Sequence, residues 1–420
     1  MRTRQRVSVW FLLWIIWGVL AGCTAATTQP AEVEANAGPA ATVSSAATPT
    51  SRSTVRAPLL FVDGPREGEM GIVFQNGVEC LGEEAQPIQG STIYVSPDGD
   101  DNNAGTSANA PLATLAYALC NIVPGQTLMV LPGIYHESVI LGAFGHADKP
   151  ITIQGVVEGE RWPVLDGESR RTMGIAFVES TNIHVENLEF RNYTDEGLDL
   201  LLGSDFVLRH NRFIDNGRAS TDPDADGEGF GLNIDGVQKV LVEKNEVAGN
   251  GPNAKRWQQY TLGTGINTFE LTNGIIRDND IHDTVGGGIL VEDGADVLVE
   301  NNRIQNNELD ANGDYWDGGV WVDGSKNVTL RNNTITGNHG PGVVLSDEDL
   351  QYPQASFGFV LERNTITDNL YGVHEWNWGQ CPVSDESIIR LTDNQFSGNS
   401  KGDIWCQEWL CSDESPCGGN

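Results

Sequence analysis

A short acidic segment, residues 222–228, contains residue types that bind divalent cations. Its sequence, DPDADGE, places carboxylates at alternate positions before a glycine that permits a sharp turn, which matches the start of an EF-hand calcium loop. The candidate calcium ligands are Asp222, Asp224, Asp226 and Glu228. Position twelve of the pattern is Asn233, where a complete loop would have a bidentate Glu. The segment therefore predicts either a calcium site or a solvated acidic loop.

A second segment contains a residue type suited to act as a catalytic base. Lys255 and Arg256 are adjacent basic residues among otherwise acidic loops. Beside bound calcium, a lysine with a lowered pKa could remove the proton next to a uronate carboxylate, while the metal neutralises that carboxylate. Lys255 is therefore our candidate base for a polysaccharide lyase. The alternative is a surface salt bridge to the neighbouring acidic loop.

Aromatic residues accompany these charged groups. The candidate sugar-binding residues are Arg256, Trp257, Tyr260, Tyr315, Trp316 and Trp321. Aromatic faces beside a few polar groups suit the C–H surfaces and hydroxyls of a sugar ring. The alternative interpretation is that these side chains pack the loops against one another.

The elements that position these residues repeat along the chain. Between residues 181 and 400, an apolar strand ends eight times at a corner that is usually Asn. These corner residues are Leu188, Asn211, Asn245, Asn279, Asn302, Asn333, Asn364 and Asn394. The pattern predicts a solenoid in which insertions interrupt a minimum coil of about 23 residues. We expect each Asn to adopt the left-handed conformation that bends the chain, and the amides to hydrogen-bond along the axis as a ladder.

A glycine column follows the corners and precedes an alternating strand. Its members are Gly197, Gly231, Gly265, Gly288, Gly319, Gly342 and Gly372. Alternation with a period of two, without a sustained apolar period of 3.6, predicts strands throughout and hence a parallel β-helix. The insertions at residues 217–229, 251–262 and 308–318 precede this column, so we expect them to emerge at one corner and line one groove.

Three carboxylates point outward on the strands after the glycine column. Alternation predicts this orientation for Asp235, Glu292 and Asp323, and also for Trp321. Glu292 and Asp323 fall in successive coils, which are spaced about 4.8 Å apart. This spacing is compatible with the paired carboxylates of a glycoside hydrolase. The alternative is that each Asp-Gly pair here simply forms a turn.

The segment before the repeats resembles the start of pectate-lyase-like, right-handed β-helix proteins. It reads IYVSPDGDDNNAGT at residues 93–106, and PLATL, PGIY and KPITI follow at 111–115, 132–135 and 149–153. The resemblance covers about residues 91 to 405 and implies an all-β, right-handed parallel β-helix. Such proteins include polysaccharide lyases, glycoside hydrolases, uronate epimerases and surface proteins of no known activity. Family-nine lyases pair an Asp-rich calcium site with a Lys base, which implies those roles for the acidic loop and Lys255.

The amino terminus predicts an exported lipoprotein. Three arginines in the first six residues precede an uncharged, mostly apolar run at 7–20, and the box LAGC ends at Cys23. The run is shorter than the roughly 20 residues of a membrane span, although a transmembrane anchor is the alternative. We predict that residues 1–22 are removed and that Cys23 is acylated and holds the protein to the extracytoplasmic face of a bacterial envelope. Residues 23–57 lack large apolar groups and are expected to form a disordered tether.

Six cysteines remain beyond the lipidation site. They are Cys80, Cys120, Cys381, Cys406, Cys411 and Cys417. In an exported protein they predict up to three disulfides that staple the two ends of the solenoid, and the spacing would allow Cys80–Cys120, Cys381–Cys406 and Cys411–Cys417. A zinc site is the alternative, although paired Cys-x2-Cys spacing is missing. We place the cap and first strands at 58–150, the repeats at 151–405 and a Cys-rich tail at 406–420.

Charge narrows the range of partners. The chain has 25 basic and 58 acidic residues, a formal net charge of −33. Such a surface repels nucleic acid, so we expect the partners to be neutral glycans or anionic glycans bridged by cations. We also expect the protein to be a monomer. The leading prediction is a calcium-assisted polysaccharide lyase or related uronate-active enzyme. The alternatives are a glycoside hydrolase and a non-catalytic glycan-binding or structural lipoprotein.

Overall fold

The structure is a computed structural model that describes residues 77–80, 87–217, 229–252, 263–309, 317–346, 356–378 and 385–408. Within these ranges the chain forms one short helix, α1 (Leu115–Cys120), and 32 strands. The predicted signal, the tether and Cys23 lie outside the described residues. No helix in the described ranges is long and apolar enough to cross a membrane.

The strands follow one another with few interruptions. The first are β1 (Gly77–Cys80), β2 (Thr92–Val95), β3 (Thr127–Val130), β4 (Gly133–Tyr135), β5 (Ser138–Leu141), β6 (Ile151–Gly155), β7 (Pro163–Asp166), β8 (Met173–Val178), β9 (Thr181–Glu186), β10 (Glu189–Arg191) and β11 (Glu196–Leu201). Next come β12 (Ser204–Arg209), β13 (Arg212–Ile214), β14 (Phe230–Asp235), β15 (Gln238–Glu243), β16 (Glu246–Ala248), β17 (Ile266–Phe269), β18 (Ile275–Arg277), β19 (Asp280–His282), β20 (Ile289–Glu292), β21 (Leu298–Glu300) and β22 (Arg303–Gln305). The last are β23 (Val320–Asp323), β24 (Thr329–Arg331), β25 (Thr334–Thr336), β26 (Val343–Ser346), β27 (Phe359–Glu362), β28 (Thr365–Thr367), β29 (Val373–Trp378), β30 (Ile389–Thr392), β31 (Gln395–Ser397) and β32 (Ile404–Glu408).

Each coil contributes one strand to each of three parallel sheets. The first sheet has 11 strands in the order β1-β5-β8-β11-β14-β17-β20-β23-β26-β29-β32. The second has 11 in the order β2-β3-β6-β9-β12-β15-β18-β21-β24-β27-β30, and the third has ten in the order β4-β7-β10-β13-β16-β19-β22-β25-β28-β31. Because every third strand meets its counterpart one coil away, the chain is a parallel β-helix, as the repeats predicted.

One continuous apolar core fills the helix. It extends from Ile93 to Ile389 and takes the inward residues of all three sheets. On β23, Val320 and Val322 belong to this core, whereas Trp321 belongs to a separate cluster on the outer side. The predicted alternation is therefore confirmed. A single coil cannot bury its inward residues alone, so each coil depends on its two neighbours.

An asparagine ladder lies at the corner between the second and third sheets and confirms the predicted hydrogen bonding. The side-chain amide of Asn279 donates to Val242 O and to Asn302 Oδ1, both at 3.0 Å. Its Oδ1 accepts from the backbone N–H of Asn245 at 2.9 Å. A second ladder occupies the corner between the third and first sheets, where Thr284 replaces one Asn and its hydroxyl donates to Asn307 Oδ1 at 2.7 Å.

The prediction that the corner asparagines themselves adopt the left-handed conformation is wrong. The left-handed residue is the one before each Asn: His210, Lys244 and Asp278 have φ values of 56°, 56° and 55°. This residue turns the chain so that the following side chain points into the corner. Asn211, for example, is 1% exposed there. Asparagine suits this position because its amide satisfies the buried backbone groups of neighbouring coils.

Charged ladders cover the outer faces of the second and third sheets. On the second sheet, Glu243 lies between Arg209 and Arg277, with N–O distances of 3.7 Å and 2.7 Å. On the third, Arg212 pairs with Glu189 at 2.6 Å and with Glu246 at 2.8 Å. Opposite charges on successive strands place each carboxylate beside a guanidinium, so these faces are electrically compensated.

Three of the six predicted disulfide cysteines, Cys80 on β1, Cys120 and Cys406, lie in described parts of the chain. Cys120, at the end of α1, and Cys406, on β32, are both disulfide-bonded. The three pairings proposed from sequence spacing stay predictions. Cys381, Cys411 and Cys417 lie outside the described residues.

Candidate functional site

The outer face of the first sheet differs from those of the other two sheets. Two outward-facing columns run along it. Column one contains Asp199, Asn233, Asn267, Leu290, Trp321, Val344, His374 and Trp405, one residue per coil. Column two contains Leu201, Asp235, Phe269, Glu292, Asp323, Ser346 and Trp376. The face is therefore acidic and amidic at β11 to β17, and it becomes apolar and aromatic toward β32.

The glycine column determines which residues face outward. A Cβ on Gly197 would lie 2.7 Å from Gly231 O and 2.9 Å from the side-chain amide of Asn216. Only glycine allows the strand to start this close to the second asparagine ladder. Because each strand starts at its glycine, its side chains alternate inward and outward from that residue. The residue two places after the glycine therefore faces outward. In the first two coils concerned, that residue is Asp199 or Asn233.

Three side chains of column one form a hydrogen-bonded series. The amide of Asn233 donates to Asp199 Oδ1 at 3.0 Å, and the amide of Asn267 donates to Asn233 Oδ1 at 2.8 Å. Among the described residues, Oδ1 of Asn267 is buried without a hydrogen-bond partner. A buried, unsatisfied acceptor is costly, so this end of the series is suited to receive a donor or a cation.

Two carboxyl groups beside this series have raised pKa values. Burial, followed by the negative charge of Asp235, raises the pKa of Asp199, whose side chain is 1% exposed. Burial, followed by the charge of Glu270, raises the pKa of Asp235 to about 7. Desolvation and like charge both disfavour ionisation. Both groups therefore exchange protons much nearer to neutral pH than ordinary aspartates do, which suits proton transfer.

The long insertions leave and rejoin the helix at one corner, as predicted. A Cβ on Gly217 would lie 2.7 Å from the Cα of Gly229, so the two ends of that insertion are in contact. The next insertion starts directly above the first, because Gly251 N–H donates to Asn216 O at 2.8 Å. The corner is the one between the third and first sheets. The insertions therefore directly precede β14 and β17, which carry Asn233, Asp235 and Asn267.

The predicted residues within the insertions lie outside the described residues. These are Asp222, Asp224, Asp226, Glu228, Lys255, Arg256, Trp257, Tyr260, Tyr315 and Trp316. Their assignments as calcium ligands, base and sugar-binding residues stay predictions. Among the residues that the structure describes, no three His, Cys, Asp or Glu side chains are grouped closely enough to hold a metal ion.

The remaining predicted residues lie together farther along the face. Glu292 and Asp323 are partners in register on β20 and β23, as expected. Asp323 Oδ1 accepts a hydrogen bond from Ser346 Oγ at 2.6 Å, and Ser346 Oγ accepts one from Trp321 Nε1 at 2.6 Å. Trp321 is 5% exposed and Asp323 is 6% exposed. The indole N–H and one carboxylate oxygen are thus already engaged within the protein, while the catalytic and sugar-binding assignments stay predictions.

The sequence interpretation missed Asp199 and the two amides of column one. The signal that could have identified them is the position two places after the glycine in consecutive repeats. Asp199, Asn233 and Asn267 occupy that position in three consecutive coils and are all polar, whereas the next three coils have Leu290, Trp321 and Val344 there. Asp235, by contrast, was selected from the same alternation and lies where it was expected.

Two protein families match the chain. "Pel9A-like, right handed beta helix region" covers residues 93–246, and "Right handed beta helix region" covers residues 226–350 and 260–409. A curated relative, the uncharacterized protein YwoF of Bacillus subtilis (strain 168), is 25% identical over 309 residues. That alignment covers 67% of this chain and 63% of the relative, so it spans less than two thirds of the relative's length.

Two solved structures share the architecture. Pectate lyase Pel9A has a TM-score of 0.55 and 15% identity, covering 79% of this chain and 83% of its own. An alginate lyase from Paenibacillus sp. str. FPU-7 has a TM-score of 0.55 and 16% identity, covering 70% of this chain and 95% of its own. At these identities the similarity concerns the fold. Together with the three parallel sheets, it confirms the right-handed hand that the resemblance implied.

Proposed function

We propose that this right-handed parallel β-helix protein is a carbohydrate-active enzyme that cleaves a uronate-containing polysaccharide by β-elimination. Its reaction centre is the outer face of the first sheet at β11, β14 and β17. The observation that carries the proposal is the pair Asp199 and Asp235, two outward-facing carboxyl groups in adjacent coils whose pKa values are raised by burial and like charge.

The raised pKa values suit an anionic sugar. At neutral pH a carboxyl group with a pKa of about 7 is protonated about half of the time, so it can donate a hydrogen bond where an ionised carboxylate would repel the uronate. In the elimination, a base removes the proton at C5 and the electron pair forms the C4–C5 double bond. The glycosidic oxygen then leaves C4 and takes a proton from Asp235. General acid catalysis of this kind contributes roughly 10²- to 10⁴-fold in rate.

Lys255 is our candidate for the base. It belongs to the insertion that directly precedes β17, the strand that carries Asn267. The two solved structures of the same fold are described as lyases of pectate and of alginate. A shared fold does not establish an activity, so the likeness only supports a proposal that the carboxyl pair carries.

Calcium fits the donor types at this site. Calcium prefers oxygen ligands, and Asn267 Oδ1 on β17 is a buried amide oxygen without a hydrogen-bond partner among the described residues. We propose that Asp222, Asp224, Asp226 and Glu228 from the preceding insertion complete the ligand set. Bound calcium would neutralise the uronate carboxylate.

A glycoside hydrolase is the second candidate. Glycoside hydrolysis uses two neighbouring carboxyl groups, one as acid and one as base or nucleophile. Asp199 and Asp235 lie on adjacent strands of the first sheet, and Glu292 with Asp323 forms a further registered pair. This candidate requires neither calcium nor Lys255.

We also propose that the protein is exported and tethered by lipid at Cys23, and that it acts as a monomer. Membrane fractionation of a producing cell tests the tether. Replacement of Cys23 by serine should move the protein from the membrane fraction to the soluble fraction. Retention of the variant in the membrane would instead favour a transmembrane anchor.

Product analysis distinguishes the candidates. The full chain would be incubated with pectate, alginate and neutral xylan, with calcium or with a chelator. Unsaturated-product absorbance and reducing ends would be recorded together. The lyase predicts calcium-dependent unsaturated products that Asp235→Asn and Lys255→Ala each reduce, while Glu243→Gln on the second sheet of the same coil leaves them unchanged. Reducing ends without unsaturation would establish the hydrolase, and no product from any polymer would contradict both.

A further inference from the structure

The carboxyl-terminal coils present a second group of side chains on the same outer face. His374 and Trp405 follow one another in column one, and Trp376 ends column two. Tyr371 lies just before β29. We call Tyr371, His374, Trp376 and Trp405 the terminal aromatic patch.

The rings of the patch are held in fixed orientations. Trp405 stacks on His374 with a centroid distance of 4.4 Å and an interplanar angle of 10°, and on Tyr371 at 4.7 Å and 18°. Trp376 packs against Trp321 at 6.1 Å and contacts the apolar cluster on the outer side. Each tryptophan thus has a rigid support, which reduces the entropy lost when a ligand orders it.

The patch remains partly accessible to solvent. His374 is buried, but Tyr371, Trp376 and Trp405 are half-buried. Lys401 is exposed and its Nζ lies 5.7 Å from the ring centroid of Tyr371. Aromatic surface beside a cation is the combination that recognises the apolar face of a sugar ring bearing a carboxylate. In a chain with a net charge of −33, a cation at this position favours an anionic ligand locally.

The patch is continuous with the proposed reaction centre. Asp235 lies on β14 and Trp405 on β32, six strands farther along the first sheet. Strands spaced about 4.8 Å apart place the two about 29 Å from each other along the axis. A polysaccharide bound along this face at the reaction centre would reach the patch, whereas a short fragment would not.

We propose that the terminal aromatic patch is a distal binding subsite for a uronate-containing glycan chain, in which Trp376 and Trp405 contact sugar rings and Lys401 contacts a carboxylate. The inference rests on the proposed function in that it takes a polysaccharide as the ligand. It concerns binding of the polymer and assigns no role in bond cleavage to the patch.

The test separates binding from cleavage. Binding of pectate and alginate would be measured by titration calorimetry on the full-length Asp235→Asn protein, with neutral xylan for comparison. Adding Trp405→Ala or Trp376→Ala should weaken polymer binding about threefold to tenfold, the range expected for one aromatic contact. Trp405→Phe should retain most of the affinity, and Lys401→Met should weaken binding of the two uronate polymers only. Phe357→Ala is the matched control, because Phe357 is 40% exposed in the neighbouring coil, just before β27 of the second sheet and off this face.

Cleavage kinetics provide the second measurement. With Asp235 intact, Trp405→Ala should raise KM for the polymer and leave kcat unchanged, while trisaccharide fragments should be cleaved as by the unsubstituted protein. Polymer binding that depends on Trp405 without any cleavage would support this subsite while contradicting the proposed reaction. Unchanged polymer affinity in Trp405→Ala and Trp376→Ala proteins with unaltered thermal unfolding would overturn the inference, as would failure of the parent protein to bind either uronate polymer.

Discussion

The outer faces of the first and second sheets have the same backbone geometry, but they shift the pKa values of their carboxyl groups in opposite directions. On β15, Glu243 lies between two arginines, and these ion pairs outweigh the effect of burial and lower its pKa. On β14 of the same coil, Asp235 forms no ion pair with another described residue, and burial raises its pKa to about 7. The difference shows that parallel register alone does not stabilise an outward carboxylate; the residue on the next strand decides.

This contrast separates stabilising positions from reactive ones. Charged ladders on the second and third sheets place Glu243, Glu189 and Glu246 beside arginine side chains. On the first sheet, Asp199 and Asp235 are buried and form no ion pair with another described residue, which costs stability. A protein keeps such a cost where its function requires it. We therefore expect substitutions on the two faces to have opposite consequences for activity and for stability.

The largest expected effect is a difference in activity between variants of Asp235 and Glu243, two carboxyl residues of the same coil. Asp235→Asn should lower activity on the polymer by about 10²-fold or more, because the proton donor is lost, whereas Glu243→Gln should retain nearly full activity. Initial rates at saturating polymer measure both. Equal losses in the two variants would show that the faces do not differ in function.

The pH dependence of stability should differ between Asp235→Asn and the unsubstituted protein. A folded pKa raised above the unfolded value means that the unfolded chain releases this proton first, so the contribution of Asp235 to stability falls as pH rises from about 4 to 7. Asparagine has no such dependence. The stability of Asp235→Asn relative to the unsubstituted protein should therefore rise by up to about 4 kcal/mol between pH 4 and pH 7. Urea unfolding at several pH values measures it, and a constant difference would contradict the raised pKa.

The asparagine ladder should stabilise the stack of coils. Asn279→Ala removes an amide that donates to Val242 O and Asn302 Oδ1, so it should cost about 2 to 3 kcal/mol in the free energy of unfolding. Asn279→Thr should cost less, because Thr284 joins the second ladder through its hydroxyl. Chemical denaturation of the three proteins compares them. A loss below about 0.5 kcal/mol in the alanine variant would show that the ladder contributes little to the free energy of unfolding.

The smallest expected effect concerns the charged ladder. Glu243→Gln should destabilise the protein by about 1 kcal/mol at pH 7, because the arginines beside it are partly solvated. The lowered pKa of Glu243 means that this contribution is present above the unfolded pKa and is lost as pH falls through the folded pKa. Unfolding at pH 7 and at pH 3 tests this, since the difference between the two proteins should shrink at pH 3. A difference that grew in acid would contradict the ion-pair assignment.

The sequence predicted the fold more completely than the site, and particular residues show why. Asn302 and Asn333 occupy the same register 31 residues apart, and they do bond to one another. The inward orientation of Val320 and Val322 also followed from simple alternation. Asp199 was missed because its neighbours in space are Asn233 and Asp235, which are 34 and 36 residues away in the chain. The left-handed residue at each corner was assigned one position too late, since sequence composition highlights the Asn rather than the variable residue before it.

The sequence by itself determined the repeat, the parallel β-helix and the alternation of inward and outward side chains, because each of these depends on local periodicity. Only the tertiary structure decided which outward carboxylates are compensated and which remain buried beside like charge. Coils of different length place residues at unequal separations in the chain onto neighbouring strands. The pKa of a side chain depends on those spatial neighbours and on its burial, so Glu243 and Asp235 acquire opposite shifts although they lie only eight residues apart.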